Sequence, residues 1–259
     1  MGTYSSATRQ GAYEPFELQV ARGQVDGHKT LFKFGINGDV GTSVETVWAQ
    51  GGTYAYPASA TVMKISSSSA DDTSAGTGAR TIAIFGLDAN YNEISESVLL
   101  DGQTAVNTGN SYLRISRMYV TTAGSGATAA GTIYAGTGTV TSGVPATVYG
   151  MITLTANQTQ MAFWTVPAGY TLYLMGVYFT SANSTANAST NFQLIQRPLG
   201  GVFRIQSSAR TAGNGDFVFD LHTPLAFTEK TDIEIRAIAS AGTSNVSAEF
   251  EGIYIKNPD

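Results

Sequence analysis

Residues 231–238 read Thr-Asp-Ile-Glu-Ile-Arg-Ala-Ile, and this stretch decides the class of fold. Ile233 and Ile235 fall on one side of an extended chain, while Asp232, Glu234 and Arg236 fall on the other. Successive side chains of a strand point to opposite faces, so this alternation predicts an antiparallel strand with one buried and one solvated face.

Comparable segments recur along the whole chain, and helical periodicity is almost absent. Near Gly252 the alternation of the last segment changes phase, which predicts a β-bulge. The segments indicate an all-β protein, and the predicted strands cover residues 30–36, 44–49, 61–66, 80–85, 93–100, 112–121, 131–135, 146–149, 151–154, 161–166, 170–181, 191–198, 203–208, 216–225, 231–239 and 244–255.

The segments between the strands carry turn chemistry. Asn37-Gly38, Asp101-Gly102, Ser142-Gly143 and Asn214-Gly215 each place glycine where a tight turn needs positive φ. Longer connections at 66–78, 121–131 and 181–190 consist almost entirely of Ser, Thr, Ala, Gly and Asn. We expect solvated loops at the rim of a sandwich there. The alternative is a set of contact loops that become ordered against a neighbour in an assembly.

The length of 259 residues and a change of pattern near residue 145 predict two domains. Residues 1–29 alternate poorly and are expected to form an extended N-terminal arm with anchoring aromatic side chains. Residues 30–145 are expected to form a β-sandwich, and residues 146–259 a jelly-roll-like β-sandwich.

The composition excludes several classes of function. The chain has no cysteine, so disulfides, thiolate catalysis and thiolate metal sites are ruled out together. Its net charge is −5 and its 14 basic residues are scattered, so no nucleic-acid partner is expected. The first residues lack the pattern of a secretory leader, and no apolar stretch has the length of a membrane span, so no membrane partner is expected.

Catalytic constellations are not evident. His28 lies in a turn and His222 at a strand end, without the spacing of a zinc site, so both are expected to be structural or surface residues. Glycoside hydrolysis would need two carboxyl groups held across a cleft. The candidate pairs are Asp71 with Asp72, Glu93 with Glu96, and Glu249 with Glu251, and each is a pairing that chance readily supplies. We therefore expect no enzymatic activity.

Two binding hypotheses arise from local motifs. Residues 88–92, Asp-Ala-Asn-Tyr-Asn, resemble the opening of a calcium loop, but Glu93 and Leu99 occupy its sixth and twelfth positions instead of Gly and Glu. A hairpin turn is the favoured interpretation, with a calcium site of another kind left open, and no cofactor or metal is expected. Tyr54 and Tyr56 share one side of an extended piece, so a carbohydrate-stacking surface is a second alternative to a core role.

Four segments of the sequence resemble a known protein family. They are residues 13–23 (YEPFELQVARG), 32–35 (FKFG), 81–96 (TIAIFGLDANYNEISE) and 197–204 (RPLGGVFR). They resemble a family of virion structural proteins of tailed bacteriophages. The resemblance implies a non-enzymatic component of the particle surface, assembled in the host bacterial cytoplasm. Capsid decoration or cement proteins of this sort are commonly β-sandwich homotrimers bound to the major capsid protein.

The resulting hypothesis is a capsid decoration protein that clamps capsomers through its arm and first domain. The predicted contact residues are Tyr4, Tyr13, Pro15, Phe16 and Leu18. The alternative is a tail- or fibre-associated host-recognition module that binds a surface glycan through loops such as residues 181–190. A hydrolase is disfavoured because no catalytic constellation is present.

Overall fold

The structure, a computed structural model, describes residues 14–258. One short helix precedes a succession of antiparallel strands, which confirms the all-β prediction. In chain order the elements are α1 Phe16–Ala21, β1 His28–Val40, β2 Glu45–Thr46, β3 Thr61–Ser67, β4 Ala79–Leu87, β5 Glu93–Leu99, β6 Val106–Tyr112, β7 Arg114–Ala123, β8 Ile133–Thr141, β9 Val144–Ile152, β10 Phe163–Thr165, β11 Tyr170–Asn183, β12 Ser189–Arg197, β13 Arg204–Ala212, β14 Gly215–Phe227, β15 Asp232–Ala239 and β16 Ser244–Lys256.

The strands form two sandwiches. β1, β2 and β10–β16 form the outer sandwich, and β3–β9, between them in the chain, form the inserted one. The outer sandwich consists of a sheet in the order β1-β16-β11-β14 and a facing sheet in the order β10-β15-β12-β13, with β2 paired to β15. The inserted sandwich consists of the sheets β6-β3-β8-β9 and β5-β4-β7. Each sandwich has its own apolar core, because alternate residues of the facing sheets interdigitate between the two layers.

This topology corrects the predicted domain boundaries. β1 pairs along its length with β16, from His28 opposite Ile255 to Val40 opposite Ser244, so residues 28–40 belong to the C-terminal sandwich. β9 pairs with β8, so the first sandwich extends to Ile152. A long-range pairing of the first strand with the last leaves no mark in local alternation, and a boundary drawn from composition therefore misses it.

The predicted extended arm is also wrong within the described residues. Phe16–Ala21 form a helical turn and a half that begins after Pro15, whose fixed φ suits the start of a helix. The side chain of Val20 is buried, while those of Phe16 and Leu18 face solvent. The ring of Phe16 packs edge-on against His28 at 5.7 Å, which holds the helix against the start of β1.

Most predicted strands are present, with three local differences. β6, Val106–Tyr112, was not predicted, since its Asn-Thr-Gly-Asn-Ser run has low strand propensity. The predicted strands 146–149 and 151–154 are one strand, β9. The register of β11 on β16 shifts between Leu174 and Gly176 opposite Gly252, so the expected bulge is present but its extra residue, Met175, lies in β11.

The long loops of the inserted sandwich are organised around Asp72. Its side chain is fully buried, and Oδ1 accepts hydrogen bonds from the backbone N–H groups of Ala79 at 2.7 Å and Ala130 at 2.8 Å. Oδ2 accepts from the N–H of Gly131 at 2.9 Å and from the hydroxyl of Ser67 at 2.5 Å. The segments 66–78 and 121–131 are thus joined through one buried carboxylate, while most of their other residues are exposed or half-buried, as expected for solvated loops.

Candidate functional site

The polar face of β15 is covered. Asp232 and Glu234 were expected to face solvent, yet both are buried, because each is paired with arginine and enclosed by neighbouring side chains. The largest cluster of charges among the described residues has formed around them. It lies between the two sandwiches, and we call it the charged joint: Tyr56, Arg114, Arg197, Phe203, Asp232, Glu234 and Arg236.

Asp232 is the centre of the charged joint. Arg114 on β7 donates to its two carboxylate oxygens from Nε at 2.9 Å and from Nη2 at 3.1 Å. Arg197 on β12 donates from Nη2 at 2.5 Å, and the Thr165 hydroxyl donates at 2.6 Å. Arg114 belongs to the inserted sandwich and Asp232 to the outer one, so this ion pair connects the two.

The backbone completes the environment of Arg114. Its Nη1 donates to the carbonyl oxygens of Pro57 at 3.1 Å and Leu113 at 2.9 Å. Burial alone would lower the pKa of Arg114, but the hydrogen bond and charge of Asp232 outweigh it and raise the pKa. The guanidinium therefore stays charged in the interior.

Each of two aromatic rings contacts two of the arginines. The centre of the Tyr56 ring lies 4.9 Å from the guanidinium carbon of Arg114 and 4.6 Å from that of Arg197. The Phe203 ring lies 4.6 Å from Arg197 and 4.8 Å from Arg236. Cations over ring faces are attracted by the ring quadrupole, so these contacts help to stabilise the three guanidinium groups.

Glu234 completes the charge balance. It pairs with Arg236 at 2.7 Å, accepts from the Tyr56 hydroxyl at 3.2 Å, and accepts a short hydrogen bond from the Thr46 hydroxyl. Burial, then the nearby carboxylates of Glu234 and Asp232, hold the pKa of Tyr56 well above its usual value, so the phenol remains a donor.

The charged joint connects the two sandwiches. Both of its carboxylates accept hydrogen bonds from arginine side chains, and the pair of Asp232 with Arg114 joins one sandwich to the other. A neighbouring aromatic cluster of Trp48, Tyr54, Met161 and Phe163 packs against Val148 and Tyr149 of β9 and adds a second contact between the sandwiches. The arrangement therefore fixes the orientation of one sandwich on the other.

Sequence reasoning missed the charged joint. Residues 197–204 were noted for a family resemblance and as parts of two predicted strands, and Tyr56 as a core residue or a carbohydrate-stacking one. The available signal was charge density: in a chain with 13% charged residues, Asp232, Glu234 and Arg236 fall within one strand, and Arg197 is followed closely by Phe203.

The carboxylate pairs considered from the sequence are not brought together as catalytic pairs. Asp72 is engaged with four donors while Asp71 is exposed. Glu93 forms an ion pair with Lys29 at 2.5 Å. Glu96 instead accepts from the backbone N–H groups of Gly109 and Asn110.

The last pair and the Asp88 loop have structural surroundings too. Glu251 accepts from the Tyr178 hydroxyl at 3.1 Å on the outer face of its sheet. Asp88 accepts from the N–H groups of Asn90 and Asn92, the arrangement of a hairpin turn. Slight burial opposes ionisation of Asp88, but these hydrogen bonds together lower its pKa. Within residues 14–258 no three His, Cys, Asp or Glu side chains are grouped as metal ligands.

The predicted contact residues are only partly described. Tyr4 and Tyr13 lie outside the described residues. Pro15, Phe16 and Leu18 lie at the start of α1, where Phe16 is 43% and Leu18 48% exposed. The structure thus brings three of the five together on one surface turn.

A larger exposed apolar surface lies at the other side of the outer sandwich. β13 and β14 are the end strands of their two sheets, opposite the ends formed by β10 and β1. Val218 and Ile205 are 56% and 57% exposed there, and Val202 in the preceding loop is 72% exposed. We call this end of the sandwich the open flank, and its partly or largely exposed apolar residues are Leu199, Val202, Ile205, Phe217, Val218 and Phe219. Phe217 stacks on the buried Phe179 and on Phe219, whereas Val218 lies on the opposite face of β14.

The open flank carries charges of both signs. Arg204 and Arg210 lie on β13, and Asp216 and Asp220 lie on β14, all of them exposed. The long exposed strand β14 leaves one backbone edge without a partner strand among the described residues. Such edges and patches are typical of surfaces that another chain covers.

In comparisons with known proteins, no family model and no curated protein matches the chain. No helix in the described part of the chain has the length and apolarity needed to cross a membrane. Among solved structures, the chain is weakly similar to a chain in the structure of infectious bursal disease virus, Gx strain. The two chains are 11% identical and superpose with a TM-score of 0.25, and the alignment covers 90% of this chain and 73% of the viral one. The VP2 subviral particle of infectious bursal disease virus aligns with 10% identity and a TM-score of 0.20 over 90% and 72%. These scores lie far below the range in which two chains share a fold.

Proposed function

We propose that this protein is a non-enzymatic structural protein of a virion, and more narrowly a decoration or cement protein on the head of a tailed bacteriophage. The observation that carries the proposal is the open flank, because a chain that works alone in solution rarely exposes so many large apolar side chains on one sheet end. The sequence resemblance described above supplies the phage context and the choice of the major capsid protein as partner.

The open flank also supports self-association as a homotrimer. Arginines on β13 and aspartates on β14 permit a head-to-tail contact in which the β13 side of one copy meets the β14 side of the next. Contacts between two different patches of the same chain close into a ring when the rotation allows it. A trimer that buries three such contacts would gain stability outside the cell without disulfides.

The first experiment tests the flank. Val218→Lys should reduce the trimer to monomer, as measured by light scattering coupled to size-exclusion chromatography, because a buried lysine without a partner opposes association. Val62→Lys is the matched control, since Val62 is an exposed valine, at 40%, on β3 of the other sandwich. A wild-type protein that is monomeric at all concentrations would contradict the self-association proposal.

The second experiment tests the position on the particle. Quantitative mass spectrometry of purified virions should give hundreds of copies of this chain, in a fixed ratio to the major capsid protein. Deleting residues 1–20 should abolish binding to heads while the circular dichroism spectrum stays that of a β protein. A dozen copies or fewer per virion would contradict the decoration role.

The glycan-binding alternative remains a prediction with its own test. Residues 181–190 comprise the end of β11, the turn at 184–188 and the start of β12, and Ser184 in that turn exchanges hydrogen bonds with Thr243. Specific hits on a glycan array that are lost on substitution within residues 184–188 would favour host recognition over decoration.

A further inference from the structure

A cleft of about 660 Å³ lies where the edge of β1 faces the sheet β5-β4-β7 of the inserted sandwich. Its position between the two sandwiches is opposite the open flank. One aromatic wall is formed by Phe32 and Phe34 of β1, whose ring centres are 6.1 Å apart. The other is formed by Phe85 and Tyr119, stacked at 5.6 Å.

The alternation of β1 is inverted at this cleft. Phe32 is 56% exposed, while Lys33, the polar residue next to it, is buried with 9% of its surface exposed. An apolar residue would be expected at the inward position and a lysine at the outward one. A strand that exposes a phenylalanine and buries a lysine is not explained by the stability of the fold. Departures of this kind are expected at functional sites, which points to a use for both side chains.

Lys33 has little to balance its charge. Its ammonium donates to the backbone carbonyl oxygen of Ser116 at 2.5 Å, and no carboxylate of residues 14–258 forms an ion pair with it. Burial, and then the nearby charge of Arg117, lowers the pKa of Lys33 to about 7. A buried ammonium beside a second cation is costly unless an anion joins it.

The other charged groups of the cleft are accounted for. Glu93 is paired with Lys29 and accepts from the Tyr254 hydroxyl, so it does not neutralise Lys33. Arg117 lies over the Tyr119 ring at 5.0 Å and donates to Gln158, and it remains exposed. The end of the cleft formed by Lys33 and Arg117 therefore carries net positive charge beside aromatic walls.

We propose that this cleft binds a carboxylate flanked by apolar groups, supplied by an Asp or Glu side chain of a partner polypeptide. Lys33 and Arg117 contact the carboxylate, and the aromatic walls take the apolar neighbours. A monoanionic carboxylate suits one buried ammonium and apolar surroundings better than a strongly hydrated phosphate dianion. The choice of a polypeptide rests on the proposed function, whereas the carboxylate site itself rests on the cleft alone.

The test is calorimetric titration of the full-length protein with acetyl-Phe-Asp-Phe-amide, and with the asparagine analogue as the matched control. The aspartate peptide should bind and the asparagine peptide should bind at least about tenfold more weakly. Between pH 6 and pH 8 the affinity should fall about tenfold, because Lys33 loses its proton in that range while the peptide carboxylate stays ionised.

Two variants assign the effect to the cleft. Lys33→Met keeps the volume of the side chain and should abolish both binding and its pH dependence, while Lys64→Met on β3 should change neither. Arg117→Met, at an exposed position, should weaken binding severalfold and remains informative if Lys33→Met unfolds. Equal binding of the two peptides, or unchanged binding by Lys33→Met, would overturn the carboxylate site.

Further outcomes separate this site from the proposed function. Binding of an oligogalacturonate, but of neither peptide, would overturn the polypeptide ligand and move the chemistry to an acidic glycan. If the wild-type protein binds neither peptide while Lys33→Met decorates heads normally, the carboxylate site is refuted and the decoration role stands. Peptide binding by a protein that never decorates heads would support the site and refute the decoration role.

Discussion

Replacing Asp72 by asparagine changes one atom of a side chain that organises two loops. The carboxylate accepts four hydrogen bonds at 2.5–2.9 Å with no exposure to solvent. Asparagine keeps one acceptor oxygen but places an NH₂ group against two of the donors. Ser67 can rotate its hydroxyl to accept, whereas the N–H of Gly131 cannot change its role and loses its partner.

The magnitude follows from these contacts. A hydrogen bond to a charged group contributes about 1.5–3 kcal/mol and a neutral one about 0.5–1.5 kcal/mol, and a buried donor left without a partner costs about 1–3 kcal/mol. The variant is relieved of the desolvation cost of the carboxylate, which offsets part of the loss. We expect Asp72→Asn to lower the free energy of unfolding by about 2–4 kcal/mol.

The assay is equilibrium urea unfolding followed by far-UV circular dichroism. Trp48 belongs to the aromatic cluster beside the charged joint, and Trp164 belongs to the core of the outer sandwich. Tryptophan fluorescence in the same titration therefore reports that part of the molecule separately. Hydrogen exchange of residues 66–78 and 121–131 should accelerate in the variant, because those segments lose their common anchor.

The matched control is Asp71→Asn, the same substitution one residue away on an exposed carboxylate. It should change stability by less than about 0.5 kcal/mol, as surface substitutions usually do. If Asp72→Asn is as stable as Asp71→Asn and its loops exchange at the wild-type rate, the carboxylate does not organise the loops and the reasoning fails.

Three further predictions follow from buried charges and close backbone contacts. Asp232→Ala should destabilise the protein by about 3–5 kcal/mol in urea unfolding, since it leaves Arg114 charged and buried without its partner; a loss below about 1 kcal/mol would show that the charged joint contributes little. The lowered pKa of Lys33 means that the unfolded chain binds more protons between pH 7 and its usual pKa, so stability should rise with pH above 7, by at most about 1.4 kcal/mol per pH unit. Lys33→Met should remove that slope, and an unchanged slope in thermal melts across pH 7–10 would refute the assignment. Gly35→Ala should lower the melting temperature, because a Cβ there would lie 2.3 Å from the Val47 carbonyl oxygen and 2.4 Å from the Ala162 nitrogen. Gly38→Ala is the control in the same thermal melts, since nothing lies within 4 Å of the added carbon and the melting temperature should stay that of wild type.

The strands were predictable because their signal is local. In β15 and β16, apolar residues recur every second position, and a pleated strand places such residues on one face whatever else the chain does. Turn residues such as Ser142-Gly143 between β8 and β9 likewise impose positive φ through their own chemistry. Neither inference needs knowledge of a distant residue.

The candidate sites were less predictable, because they depend on which strands meet. Asp232 was expected in solvent from its alternation, and Asp72 from its Ser-rich neighbourhood, yet both are buried by partners 118 and 58 residues away along the chain. Lys33 and Phe32 exchange their expected faces for the same reason. Local pattern assigns a residue to one face or the other, but it does not tell which face another sheet will cover.

By itself the sequence determined an all-β chain with nearly every strand in place, no thiol chemistry, and no grouping of residues spaced for catalysis. Only the tertiary structure decided that β1 joins β16, so that one sandwich is inserted into the other, and that Arg114 meets Asp232 between them. The physical reason is range. Alternation and turn propensity act over a few residues, whereas strand pairing and the burial of charge depend on contacts between residues far apart in the chain, whose free energy appears only when the whole fold has formed.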